Sequence, residues 1–301
     1  MFVALTFTGT LPPYIVESIH QIRIYFDGVI YLIINDLQSP HLPPLVKYNV
    51  EIVDHSLVES VIFTSTVNKN IRKFTLIPDL PGREKLFIYS FERFFLLQNL
   101  MAQRNLEDGL FLELDNLIYD DPRKWLPEFS KHELCYMFDN VNRCSSGLMY
   151  VKQASSLNYF LDYVIQFIDE SRGQFLDEMS RLYQYYVWNT STVHILPTYW
   201  KKQGIPEMPQ MNFGKYEDSI FDALSIGCFL LGLDPHHTKG VIVKGSKSIW
   251  GAIDYTKERF EWREDEQGRK KPYVWNGEKW LLINNLHVHS KDLKSGLSLP
   301  L

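Results

Sequence analysis

The chain has 301 residues, enough for one large α/β domain with a substantial core, and 45% hydrophobic with 22% charged residues is ordinary for a folded protein. A formal charge of −5 gives no electrostatic footprint for nucleic acid, and 19 Phe with 17 Tyr argue against disorder. Three cysteines without a CxxC pair exclude a disulfide framework and a cysteine-based zinc site, and they fit a reducing, cytoplasmic compartment. No stretch approaches the ~20 apolar residues that span a bilayer, and Met1–Gly9 reads as a first strand rather than a signal peptide.

In chain order, Val3–Thr8 reads as a strand and Tyr14–Tyr25 as a helix entered through Pro12-Pro13. Val29–Ile34 is a second apolar strand, so the chain begins as a right-handed βαβ unit. Val50–Val53 and Phe74–Ile77 are weaker strands, with a short helix over Leu57–Phe63 between them. Ser90 caps an expected helix Phe91–Leu106, whose apolar stripe includes Phe91, Phe94, Phe95, Leu97, Leu100 and Met101. After the turn Glu107-Asp108-Gly109 comes LFLELDNLIY, where Leu110–Leu112 reads as a central parallel strand buried on both faces.

Further on, a polar connection leads to a strand Gly147–Val151 and a helix near Ser156–Ile168. Additional helices are expected from Asp177 and over Asp222–Leu231. Phe260–Trp262, the charged turn EDEQGRKK and Tyr273–Trp275 form an expected hairpin, and Asn276-Gly277 is a two-residue turn signal leading into Trp280–His289. The sum is an α/β chain with a mixed, mostly parallel, Rossmann-like sheet flanked by helices and closed by a C-terminal hairpin. No repeat or linker divides residues 1–301.

The residues with chemical potential sit late in these elements. Side chains alternate along a strand, so Glu113 and Asp115 should share a face at its carboxyl end, where open α/β sheets bind ligands. An acid pair there suits a divalent cation such as Mn²⁺ or Mg²⁺. The plain alternative is a solvated strand end. His287 and His289 also share a face, and either could ligate a metal, with His287 preferred. Lys291 could neutralise a phosphate leaving group. Arg93 could bind phosphate or ribose, or simply pair with a neighbouring acid. Asp222 precedes an apolar helix, where a carboxylate is most simply a cap and otherwise a base; Asp177 and Asp218 are further candidates.

Four features occur in order: a βαβ start with Thr6-Phe7-Thr8-Gly9, the acidic strand end LELDN, the strand SSGLMYV followed by FLDEMSRL, and a terminal NLHVHSK. In this order the chain resembles nucleotide-sugar glycosyltransferases of the GT-A fold, whose DxD acids hold a metal bound to the donor diphosphate. ExD stands here where DxD is commoner. The resemblance implies a single GT-A-like domain, with residues 1–120 binding the nucleotide sugar and 121–301 binding the acceptor and closing the metal site. It implies Asp115 as direct metal ligand, Glu113 on the ribose or a metal-bound water, and a histidine of the tail, His287 or His289, in the metal shell. Thr6, Thr8, Gly9, Arg93 and Lys291 would contact the donor, and Asp222, Asp177 or Asp218 would serve catalysis, with inversion favoured. The implied activity is hexosyl or pentosyl transfer from a UDP- or GDP-type donor to a glycan or other hydroxyl acceptor. Two other readings stand beside it. One is a sugar nucleotidyltransferase, disfavoured because Phe7-Thr8-Gly9-Thr10 is not a glycine-rich triphosphate loop. The other is a non-catalytic glycan- or nucleotide-binding protein on a degenerate transferase fold.

Overall fold

The computed structural model describes residues 1–74, 85–171, 177–200, 207–216, 219–233 and 253–301. In chain order these form β1 (Phe2–Phe7), α1 (Ile15–Tyr25), β2 (Ile30–Ile34), β3 (Val50–Asp54), α2 (Val61–Phe74) and α3 (Leu86–Arg104). Next come β4 (Glu107–Leu112), β5 (Asn116–Ile118), α4 (Leu126–Phe129), β6 (Leu134–Asn140), β7 (Arg143–Gln153), α5 (Asn158–Glu170), α6 (Glu178–Trp188) and β8 (Val193–Leu196). Last are β9 (Ser219–Ile220), α7 (Ser225–Leu231), β10 (Phe260–Glu264), β11 (Lys270–Trp275), β12 (Trp280–Ile283) and β13 (Asn285–His287).

The main sheet has the order β3-β2-β1-β4-β7-β6-β8. Its pairings are parallel except where β7 meets β4 and β6. This is the mixed, mostly parallel sheet that the sequence implied, and the first βαβ unit forms as expected. Alternation divides the strands between two buried layers. Phe2, Ala4 and Phe111 face the layer of α2, α3, α5 and α6, whereas Val3, Leu5, Leu110 and Leu112 face the layer of α1 and α4. Because β1, β4, β6 and β8 run in the same direction, their carboxyl ends share one edge of the sheet.

Several local expectations change. The short helix expected at Leu57–Phe63 is instead a 3-10 turn, His55–Leu57, followed by α2. Phe74 ends that helix rather than opening a strand, and 75–77 lie outside the described residues. Helix α3 starts at Leu86, so Ser90 lies inside it, its hydroxyl donating back to the Phe87 carbonyl instead of capping. Strand β4 is parallel to β1 but antiparallel to β7. The polar connection contains β6, whose LCYMFDN run is as apolar as a buried strand requires.

The C-terminal hairpin is present: β10 pairs with β11 and β11 with β12, both antiparallel. The run Trp280–His289 is not one strand, however. It breaks at Asn284, so that β12 stays with the hairpin while β13 pairs antiparallel with β5. That switch of partner carries the chain's last histidines to the sheet edge where β4 ends. No helix among the described residues is long and apolar enough to cross a membrane.

Candidate metal centre

β4 ends at Leu112, so Glu113 and Asp115 are not on its alternating ladder as the sequence implied. They lie on a turn closed by Asn116 N–H donating to the Glu113 carbonyl at 3.0 Å. The acids converge because the turn is clamped on both sides. The Glu113 amide donates to Gly147 O at 2.9 Å, and the Val288 amide donates to Asp115 O at 2.7 Å. Beyond the turn, β5 pairs with β13, with Asn116 opposite His287.

His287 is the centre of the arrangement. Its Nδ1 lies 3.0 Å from the Ala223 carbonyl, which can only accept, so Nδ1 carries the proton and Nε2 faces the acids. Nε2 is 3.0 Å from Glu113 Oε2 and 3.5 Å from Asp115 Oδ1. Ligands at about 2.1 Å from one small cation lie roughly 3 Å apart when adjacent, so this donor set fits a divalent ion. One imidazole nitrogen and two carboxylates suit Mn²⁺ or Mg²⁺ better than a thiophilic metal. His289 lies beside His287 with ring centroids 4.6 Å apart and the planes tilted by 59°. Burial, and then the neighbouring His287, push the His289 imidazole down to about 3, so it stays neutral.

The acids are kept ionised against their burial. Desolvation opposes the Glu113 charge, but the Arg93 guanidinium and His287 outweigh it and hold the carboxyl at about 2. Asp115 is likewise held well below the carboxylate range, burial being outweighed by Lys291 and His287. The Lys291 ammonium donates to Asp115, from a backbone with φ 63° that turns the side chain back over the site. Arg93 donates to Glu113, to Ser146 Oγ at 2.8 Å and to Glu178 Oε1 at 3.1 Å. The guanidinium therefore fixes Glu113 in place.

Beneath the histidine lies Asp222. Its Oδ1 accepts from the amides of Leu224 (3.0 Å) and Ile226 (2.9 Å), and its Oδ2 from those of Gly227 (2.8 Å) and His287 (3.0 Å). The carboxylate ties the start of α7 to β13 and has four donors for its four lone-pair sites. Asn285 extends the tie, its Nδ2 donating to Asn116 Oδ1 at 2.9 Å and to the Asp222 carbonyl at 2.8 Å. Two glycines permit the close approach. A Cβ on Gly227 would stand 2.2 Å from the His287 carbonyl oxygen, and one on Gly147 would stand 2.9 Å from Asn116 Nδ2 and 3.1 Å from His287 Nδ1.

The other residues singled out in the sequence distribute as follows. Asp177 caps α6, accepting from the Ser180 amide at 2.8 Å, with Arg143 Nε 3.9 Å away. Thr6, Thr8 and Gly9 lie at and beyond the carboxyl end of β1. Thr8 donates to Glu92 Oε2 at 2.8 Å, and Gly9, at φ 122°, donates its amide to Asn35 Oδ1 at 2.9 Å. Asp218 lies outside the described residues.

Two further acids belong to this region, of which only Asp139 escapes the sequence reading. Glu178 is the buried counter-ion of Arg93, with its carboxyl pushed up by burial against the pull of that guanidinium. Asp139, on β6, has a side chain with 0% exposure. The signal for Asp139 was available: LCYMFDN, like LFLELDN, is an apolar run ending in an acid and an asparagine.

No family model matches the chain, and no curated protein does. Among solved structures, it is similar to mouse xyloside xylosyltransferase 1 in its apo form, at 10% identity and a TM-score of 0.42, over 66% of this chain and 86% of that one. It is similar to the glycosyltransferase GlyE of Streptococcus pneumoniae TIGR4, at 11% identity and a TM-score of 0.43, over 65% of this chain and 44% of that one. It is also similar to the galactosyltransferase LgtC, solved with donor and acceptor sugar analogues, at 11% identity and a TM-score of 0.43, over 66% of this chain and 74% of that one. At these values the likeness carries nothing about chemistry, which rests on the site residues.

Proposed function

We propose that the chain is a metal-dependent glycosyltransferase that moves a sugar from a nucleoside-diphosphate donor of UDP or GDP type to a glycan or other hydroxyl acceptor. The observation that carries this reading is the convergence of Glu113, Asp115 and His287 Nε2, from two distant parts of the chain, at the carboxyl edge of the sheet. Asp115 and His287 would hold the cation, with Glu113 beside them. When bound, Mn²⁺ or Mg²⁺ supplies positive charge to the donor diphosphate.

The chain's own groups supply the rest. Lys291 stands on Asp115 with its ammonium at the site, positioned to neutralise the departing diphosphate. Arg93, held by Ser146 and Glu178, fixes Glu113. Thr6, at the carboxyl end of β1, and Thr8 and Gly9, on the loop after it, are assigned to the nucleoside. Asp222 is assigned the role of a positioning residue: four backbone donors leave it no free site for an acceptor proton, and its work is to seat the His287 backbone. Asp177 is assigned to the cap of α6, and Asp218 stays in reserve. Residues 1–120 are assigned to the donor and 121–301 to the acceptor, within one domain.

The test is calorimetry with UDP and GDP, with and without Mn²⁺, joined to a hydrolysis screen over UDP- and GDP-sugars. Nucleotide binding that requires Mn²⁺, with hydrolysis of at least one donor, is the expected result. Nucleotide affinity indifferent to Mn²⁺ and to Asp115→Asn would contradict the reading.

A further inference from the structure

The carboxyl edge of the sheet holds a second polar constellation beside the metal centre. β1, β2, β3 and β4 are mutually parallel, so their last residues meet along that edge. Helix α1, which follows β1, packs on one face of the sheet, and α3, which precedes β4, on the other. The gap between the ends of β1 and β4 is therefore the crevice in which open α/β sheets receive ligands. Two consecutive residues of α3 reach its two sides. Arg93 donates to Glu113 beyond β4, and Glu92 Oε2 accepts from Thr8 Oγ1 beyond β1 at 2.8 Å. The other oxygen of Glu92 faces His55, the first residue after β3, whose Nε2 stands 3.3 Å from Oε1. The Glu92 carboxylate raises the His55 imidazole above its ordinary range, outweighing burial, so charge as well as geometry holds the pair. Thr8 and His55 occupy two of the four lone-pair sites of Glu92. Its side chain stays 13% exposed, which leaves the remaining sites open to a ligand.

We propose that Glu92 accepts the ring N–H of the donor's base, with Thr8 and His55 as positioning residues that aim its carboxylate. The inference rests on the glycosyltransferase reading. A nucleotide whose diphosphate lies on the cation beyond β4, and whose nucleoside lies on the loop after β1, spans the crevice and meets Glu92. A carboxylate only accepts hydrogen bonds. It suits a base that carries a proton on the ring nitrogen beside a carbonyl, which uracil offers at N3 and guanine at N1. Adenine and cytosine present a bare lone pair at the corresponding nitrogen, and the carboxylate repels it. Glu92 thus selects the keto bases against the amino bases, while Arg93, its neighbour in the chain, serves the metal side of the same crevice.

The experiment is calorimetry with UDP, GDP, ADP and CDP, each with Mn²⁺, on wild type, Glu92→Gln and His55→Phe. Melting temperatures and Mn²⁺ binding followed by electron paramagnetic resonance report whether the fold and the metal centre persist. Wild type should bind UDP or GDP roughly tenfold or more tightly than ADP and CDP, and the tighter of the first two identifies the base. Glu92→Gln keeps the shape and can still accept from Thr8, but its amide also donates. It should cut the preference to within about threefold, chiefly by weakening the preferred nucleotide, with Mn²⁺ binding unchanged. His55→Phe leaves Glu92 in place without its aim and should narrow the preference less; it carries the same test if Glu92→Gln shows no melting transition. Equal wild-type affinity for all four nucleotides, or a preference unchanged in the variants, would overturn the assignment and leave the transferase reading standing. So would a loss of the same size for all four, which marks a contact to ribose or a mere tie between strand ends. A wild-type chain that binds none of the four with Mn²⁺ would overturn both.

Discussion

Two groups of acids and histidines in this chain look alike on paper and are physically opposite. Glu113, Asp115 and His287 come together at the carboxyl edge of the sheet; Glu128, His132 and His194 come together where α4 meets β8. In the first, Nδ1 of His287 is committed to a backbone carbonyl and Nε2 is turned toward two carboxylates, so the acids raise the imidazole well above its ordinary range despite burial. In the second, one carboxylate is already paired with Lys131 at 2.5 Å and Lys215 at 2.7 Å. The two imidazoles stack 4.3 Å apart, and His194 spends Nε2 on the Tyr216 hydroxyl at 3.1 Å. Burial, then the neighbouring His132 and Lys215, drive His194 down to about 3. One group holds negative charge facing a histidine nitrogen, as a cation requires; the other is an aromatic stack beside an acid already paired with two lysines. Residue types alone do not separate them, but the hydrogen bond made by the second ring nitrogen does.

The largest effect that would break this contrast is at Asp115. Asp115→Asn keeps shape and removes charge, and should reduce Mn²⁺-dependent donor hydrolysis by on the order of a hundredfold or more; steady-state rates across a Mn²⁺ series measure it. His287→Gln comes next. It should weaken Mn²⁺ binding by roughly tenfold to a hundredfold, and it should also lower stability, because two buried carboxylates lose a cationic partner. Calorimetry and urea unfolding separate the two effects.

Gly227→Ala sharpens the account of how the site is held. A Cβ there meets the His287 backbone, which no rotamer change relieves. The expected cost is about 2 kcal/mol of unfolding free energy, accompanied by weaker Mn²⁺ binding although no ligand has changed.

The smallest effect tests the second group. In the folded chain His194 binds its proton only near pH 3, whereas the unfolded chain binds it near 6.5. The depressed value means that this histidine contributes stability that is present above pH 6.5 and is lost as pH falls toward 3. For His194→Phe, the melting-temperature difference from wild type should therefore shift in the variant's favour as pH drops through that window, while Mn²⁺ affinity stays unchanged. A parallel pair of melting curves across that pH range would refute it.

The legibility of the molecule divides along the same physical lines. Apolar periodicity revealed β1, α1, β2 and the stripe of α3, because each is buried locally and patterned accordingly, and turn residues revealed the terminal hairpin. The acids and the tail histidines were also readable, since charged residues closing apolar runs are conspicuous. The reason for their convergence was not readable. It lies in the β5–β13 pairing and the break at Asn284, which bring residues about 170 positions apart into register. Nor could the sequence distinguish a saturated carboxylate from an unsatisfied one. Asp222 and Asp139 both follow apolar runs, yet the first accepts four amides and the second accepts no hydrogen bond among the described residues. That difference depends on backbone donors, which have no residue letter.

The central claim is that the cation site is Asp115 with His287 and not the Glu128 group. Electron paramagnetic resonance of Mn²⁺ titrated into wild type, Asp115→Asn and Glu128→Gln, each with UDP or GDP present, tests it most directly. The account predicts loss of the bound-Mn²⁺ signal in Asp115→Asn and a wild-type titration in Glu128→Gln. Mn²⁺ retained by Asp115→Asn and lost by Glu128→Gln would contradict it.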